Sequence, residues 1–125
     1  MLFRSYAIRC WKKGETAKFS SGTQFWNYLF EDDAGQLFFD MGKDSIPSGT
    51  YFVAHSESKP LRDYIEIMMK IYGSAAKAEF SEPTSSNIPG LKVDMKKTIN
   101  VLRYGRMVDF EEGIKKMIKH YTMNG

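Results

Sequence analysis

The sequence predicts an α+β fold: an N-terminal antiparallel β-meander or small barrel of roughly four or five strands, packed with C-terminal helices. Three observations predict it. Apolar residues alternate through Leu2–Lys13. Aromatic and β-branched runs separated by turn signals continue to about residue 57. Beyond residue 58 the apolar spacing changes to threes and fours, the period of a helix. At 125 residues and 14.4 kDa the chain predicts a single domain over 1–125, β-rich at 1–58 and helix-containing at 59–125, with a loop at 81–92.

In the first predicted strand the even positions Tyr6, Ile8 and Cys10 point inward and the odd positions Arg9, Trp11 and Lys13 point outward, because successive strand side chains alternate faces. KKGETAKFSSGT follows as a loop or hairpin tip. TQFWNYLFE is a second strand, Asp33-Ala34-Gly35 a hairpin turn and QLFFDM the return strand. Lys43–Gly49 is another turn, and TYFVAHS the fourth strand. Leu61, Ile65, Met68, Met69 and Tyr72 recur at helical spacing before Gly73, which predicts a helix over 60–72 with Ser58 as cap, strand being the rival for YIEIMMKIY. Ala75–Phe80 reads as a short strand. SEPTSSNIPGL at 81–91 is a loop, and 94–104 is a helix capped by Asp94 or else a strand. Asp109 and Glu112 have capping-box spacing ahead of the stripe Phe110, Ile114, Met117, Ile118, Tyr121, which predicts a terminal helix.

Apolar residues at 42% and charged residues at 26% exclude collagen-like, coiled-coil and disordered chains. No apolar run approaches a membrane span of roughly 18 residues. Arg4 and Arg9 interrupt the N-terminal apolar pattern, so it does not read as a signal peptide. The single cysteine, Cys10, points to a cytoplasmic protein. The net charge of +3 is uneven: residues 1–20 sum to +4, 21–60 to −4, 61–90 to −1 and 91–125 to +4. Basic surfaces of this kind attract polyanions.

Catalytic signals are poor. His55 and His120 stand in unrelated contexts, and no G-x-S-x-G elbow is present. One Cys and two His give no zinc spacing. Gly35 to Gly42-Lys43 has the wrong spacing for a phosphate loop, and Asp32, Asp33, Asp40 and Asp44 lack calcium-loop spacing. The expectation is therefore no enzyme, no metal and no cofactor. The informative feature is a basic and aromatic combination: Arg9, Trp11, Lys12, Lys13, Lys18 and Phe19, then Phe25, Trp26 and Tyr28. Aromatic faces stack on unpaired bases while Lys and Arg neutralise phosphates.

The segment Ser20–Phe25, then Leu29–Asp32, Leu37–Phe39 and especially Ile46-Pro47-Ser48-Gly49-Thr50-Tyr51-Phe52-Val53 resembles filamentous-phage single-stranded-DNA-binding proteins over about 40 residues. The resemblance implies an OB-like barrel, a homodimer, a virus- or plasmid-encoded protein and a DNA path near Phe25, the basic loop 12–18 and Tyr51. The function expected from the sequence is thus non-catalytic, sequence-tolerant binding of single-stranded DNA. A small regulator or inhibitor that captures a host protein is the alternative, motivated by the acidic stretch Glu31–Asp44 beside aromatics.

Overall fold

The computed structural model describes residues 3–82, 90–105 and 107–123. In chain order its elements are α1 (Phe3–Lys12), β1 (Ala17–Phe19), β2 (Phe25–Trp26), α2 (Glu31–Met41), β3 (Lys59–Pro60), α3 (Leu61–Tyr72), β4 (Ala78–Phe80), α4 (Lys96–Leu102) and α5 (Phe110–Met123). Most of the expected loop at 81–91 lies outside the described residues. The strands form two separate pairs. β1 runs parallel to β4, with Ala17 opposite Ala78, Lys18 opposite Glu79 and Phe19 opposite Phe80. β2 runs antiparallel to β3, with Phe25 opposite Pro60 and Trp26 opposite Lys59. Neither sheet closes. The OB-like barrel and β-meander are therefore corrected to an α/β arrangement, a parallel pair with helices packed on it.

The first predicted strand is α1, and the reason is geometric. At about 100° per residue, positions 7, 8, 10 and 11 fall within one helical face of about 160°. Ala7, Ile8, Cys10 and Trp11 are all buried there, while Arg9 and Lys12 are exposed. Alternation would have left Trp11 in solvent. Instead its ring is 2% exposed, and its Nε1–H donates to the carbonyl of Lys77 at 2.8 Å. The predicted hairpin over 24–41 is corrected in the same way. Glu31, Asp32 and Asp33 occupy the first turn of α2, where carboxylates suit the positive end of the helix dipole. Leu37 turns inward, while Phe38 and Phe39 remain exposed. Residues 50–56 form no strand, although Ala54 and His55 are buried.

Where periodicity was long and bounded, helices form as the spacing predicts. α3 covers 61–72 and stops at Gly73, whose φ of +112° is costly for a residue with a Cβ. α5 buries Ile114, with Phe110, Met117, Ile118 and Tyr121 packed beside it. At α4 the Asp94 carboxylate accepts from the Lys96 amide at 3.0 Å.

Two apolar clusters result. One joins Ala7, Ile8, Cys10 and Trp11 of α1 to Ala17, Met68, Ala76 and Ile114, so α1, α3, α5 and β1 share a core. The other gathers Leu37, Ala54, Met95 and Met107 beneath α2 and α4. A buried carboxylate ties the second cluster together. Asp33, 5% exposed, accepts from Tyr104 Oη–H at 2.6 Å and from the Val108 amide at 2.7 Å. The start of α3 is anchored by a close approach. Its Leu61 and Arg62 amides donate to the carbonyls of Gln24 (2.9 Å) and Gly22 (2.8 Å), which satisfies two donors that a helix start leaves open. Gly22 has φ +68°, and a Cβ there would lie 3.0 Å from Arg62 Cβ.

Candidate functional site

β2, the 55–58 segment and the 90–94 segment converge on a polar groove. β2 contributes Phe25, and the Leu91 amide donates to the Phe25 carbonyl at 2.7 Å, fixing the two segments side by side. Gly90 permits the approach, because a Cβ there would sit 3.0 Å from the Phe25 nitrogen. Lys92 Nζ lies 4.0 Å from the centroid of the Phe25 ring. Two hollows flank this cation–aromatic pair. One of about 370 Å³ is lined by Thr23, Gln24, Phe25, Gly90 and Lys92, and the other, of about 430 Å³, by Phe25, Ser56, Ser58, Lys92, Val93 and Asp94.

Asn27 holds the 55–58 segment in place. Its Nδ2 donates to the His55 carbonyl at 2.8 Å and to Ser58 Oγ at 3.0 Å, and its Oδ1 accepts from the His55 amide at 2.7 Å. Because Ser58 Oγ accepts from Asn27, its own hydrogen remains to donate elsewhere. Tyr64 Oη–H, on α3, donates to the Trp26 carbonyl at 3.2 Å. Burial pushes the Tyr64 hydroxyl pKa up, so it stays a donor. His55 Nδ1 accepts from the Glu57 amide at 3.0 Å, while Nε2 is buried with no hydrogen-bond partner. Chemically, the groove offers an aromatic face, an exposed cation and hydroxyl donors on a pinned backbone. It can bind a ligand with a planar group and negative charge. Among the described residues no group of three His, Cys, Asp or Glu side chains is placed to hold a metal ion.

The residues that the sequence singles out are dispersed. Phe25 lies in the groove, and Trp26 beside it is 39% exposed. Tyr51 is half-buried under Lys97, whose Nζ is 4.7 Å from its ring centroid. Tyr28 packs among Phe3, Tyr64 and Phe110. Phe19 stacks on Phe80 at 5.8 Å. Arg9, Lys12, Lys13 and Lys18 are exposed, and the Lys12 ammonium donates to the Tyr121 carbonyl at 2.9 Å. Trp11 is in the core, so the expected outward row of Arg9, Trp11 and Lys13 does not exist. Gly90, Lys92, Ser56 and Ser58 were missed because no local pattern marks them. Their partners lie dozens of residues away in the sequence, as with the separation of 28 between Asn27 and His55.

No family model matches the sequence, and no curated protein matches it. The fold, however, is similar to that of solved sugar-nucleotide enzymes. One is the UDP-glucuronic acid 4-epimerase from Bacillus cereus in complex with UDP-glucuronic acid and NAD, at TM-score 0.77 and 20% identity over 100% of this chain and 40% of that one. Another is the dTDP-glucose 4,6-dehydratase from Bacillus anthracis in complex with NAD, at TM-score 0.80 and 13% identity over 98% of this chain and 39% of that one. A third is the UDP-N-acetylglucosamine 4-epimerase from Methanobrevibacter ruminantium in complex with UDP-N-acetylmuramic acid, at TM-score 0.81 and 16% identity over 98% and 39%. At these identities the likeness establishes the fold. The chain spans about two fifths of the length of the structures it resembles.

These findings overturn the resemblance to phage single-stranded-DNA-binding proteins. They replace it with an α/β fold shared with epimerases and dehydratases. The expectations of a virus- or plasmid-encoded, dimeric protein with single-stranded nucleic acid as partner rested on that resemblance and fall with it, and the non-enzymatic expectation, which rested on the absence of catalytic motifs, is overturned by the enzymes that share this fold. A basic-aromatic composition suits a nucleotide sugar as well as a nucleic acid, since both present a nucleobase and phosphate. Among the described residues no helix is long and apolar enough to cross a membrane.

Proposed function

We infer that this chain belongs to an NAD(P)-dependent enzyme that modifies sugar nucleotides, and that its part is to hold the nucleotide sugar in the groove at Phe25 and Lys92. The observation that carries this reading is the Phe25–Lys92 pair, set between hydroxyl-lined hollows on a fold whose solved examples include complexes with UDP sugars. With Lys92 exposed over a half-buried Phe25, the pair is stabilised by only about 0.5–1 kcal/mol. A charge-assisted hydrogen bond to phosphate contributes about 1.5–3 kcal/mol. A diphosphate therefore draws Lys92 off the ring and leaves the Phe25 face to a nucleobase. Ser58 and Ser56 then donate to phosphate or sugar oxygens.

The described residues do not fit the dinucleotide itself. A dinucleotide site needs a glycine-rich turn between a parallel strand and a helix N-terminus. The sequence contains no G-x-G-x-x-G, and the glycine after β1, Gly22, is closed off by Arg62. We assign this protein to the cytoplasm, where the lone buried thiol of Cys10 stays reduced.

Titration calorimetry tests the reading. UDP-glucose and UDP should bind, and Lys92→Gln should weaken both by about tenfold, equivalent to about 1.4 kcal/mol. Phe25→Ala should weaken UDP, while oligo-dT of equal charge should not compete. Absence of UDP-glucose binding at millimolar concentration, or an unchanged affinity in both variants, overturns it.

A further inference from the structure

A second cleft, of about 470 Å³, opens between α1, the 29–31 segment and α5, away from the groove at Phe25. Its polar walls are uneven. Arg4, Lys116 and His120 line it with nitrogen donors, and Glu31, the first residue of α2, lines it with a carboxylate. Both long cations rest on aromatic faces. The Arg4 guanidinium lies 4.9 Å from the Tyr28 ring centroid, and Lys116 Nζ lies 5.1 Å from that of Phe30. Ring faces orient a cation without neutralising it. The Phe30 ring is itself positioned by Gly113, where a Cβ would come within 3.2 Å of it.

Arg4 carries a further sign. Its Nε is buried and has no hydrogen-bond partner, and burial lowers its pKa from the usual arginine value. An arginine nevertheless stays charged in a protein. A partly desolvated guanidinium with an unmade bond is the arrangement that an incoming anion stabilises, because planar N–H donors match phosphate oxygens. Tyr28 stands against that guanidinium with its own pKa pushed well above the normal range, chiefly by burial, so it supplies no counter-charge. Asp109 reaches only a narrow extension of about 10 Å³ beside Arg4, too small for a ligand.

The lining of the cleft therefore asks for two kinds of group. A carboxylate such as Glu31 can only accept hydrogen bonds and repels a bare anion. Arg4 and Lys116 can only donate. A simple anion satisfies the cations alone, a neutral polyol the carboxylate alone, and a phosphorylated polyol satisfies both. The volume falls within the range of about 300–1,000 Å³ usual for small-molecule sites. We propose that this cleft is a sugar-phosphate site, with the phosphate on Arg4, Lys116 and His120 and the sugar hydroxyls donating to Glu31.

Titration calorimetry at low salt with glucose 6-phosphate, inorganic phosphate and glucose tests this. Glucose 6-phosphate should bind about tenfold more tightly than inorganic phosphate, and glucose should not bind. Lys116→Gln should weaken both phosphates by about tenfold. Glu31→Ala should abolish the preference for the sugar phosphate while leaving inorganic phosphate bound as tightly or more so. Lys92→Gln, in the Phe25 groove, should leave the glucose 6-phosphate isotherm unchanged, which separates this site from the UDP-sugar reading. No binding of glucose 6-phosphate at millimolar concentration overturns the proposal. So does an unaltered affinity in Lys116→Gln, or a sugar-phosphate preference that survives Glu31→Ala.

Discussion

Replacing Asp33 by alanine removes the acceptor on which α2, Tyr104 and Val108 converge. The wild-type carboxylate accepts at 2.6 Å from Tyr104 Oη–H and at 2.7 Å from the Val108 amide, in a residue 5% exposed. Each charge-assisted bond contributes about 1.5–3 kcal/mol. Part of that gain offsets the desolvation of the buried carboxylate, so the net loss should be about 3 kcal/mol rather than the full sum. Domains of this size are stable by about 5–15 kcal/mol, so the variant should still fold. With a urea slope of about 1.5 kcal/mol/M, the unfolding midpoint should fall by about 2 M at unchanged slope. Tyr104→Phe removes one of the two bonds and should cost about 1–2 kcal/mol. The double variant should be less destabilised than the sum of the singles, because both act on one network. Asp44→Ala, at an exposed position, should stay within about 0.5 kcal/mol of wild type. If Asp33→Ala unfolds at the same urea concentration as Asp44→Ala, the carboxylate does not hold the 104–108 segment to α2 and the reasoning fails.

Gly22→Ala should destabilise by about 1–3 kcal/mol, since the position has φ +68° and a Cβ would press on Arg62; a thermal midpoint equal to wild type would count against this. The Tyr104 hydroxyl is pushed up from 10.0 to about 12, first by burial and then by its bond to Asp33. Its folded-state pKa is the higher one. Its contribution to stability is therefore complete below about pH 10 and is lost as pH rises through about 12, so an absorbance titration should find a late-ionising tyrosine missing from Tyr104→Phe. Trp11→Phe should lose the bond to the Lys77 carbonyl and cost about 1–3 kcal/mol, with denaturant unfolding as the measurement. Cys10, on the buried face of α1, should react with a thiol reagent only as fast as the chain opens, which stopped-time labelling in rising urea reports.

What the sequence alone determined is the pair of long, bounded helices. In α3 and α5 the apolar stripe runs through three turns or more, Gly73 ends the first, and Glu111–Lys115 spacing supports the second with an ion pair at 4.0 Å. A pattern that long favours the helical period, although in α3 the β-branched and aromatic run YIEIMMKIY keeps strand as a rival. Residues 3–41 were decided by tertiary structure. Ile8, Cys10 and Trp11 satisfy either alternation or one helical face over so short a span, and packing against Met68 and Ile114 selects the helix because it buries Trp11 as well. Local β preference in aromatic-rich segments yields to that burial. The groove and the cleft are equally tertiary. Phe25 meets Lys92, and Arg4 shares a cleft with Lys116 and His120, only after the chain has folded back on itself. Sequence spacing carries no record of contacts between distant segments, since they are set by how helices stack and not by any local period.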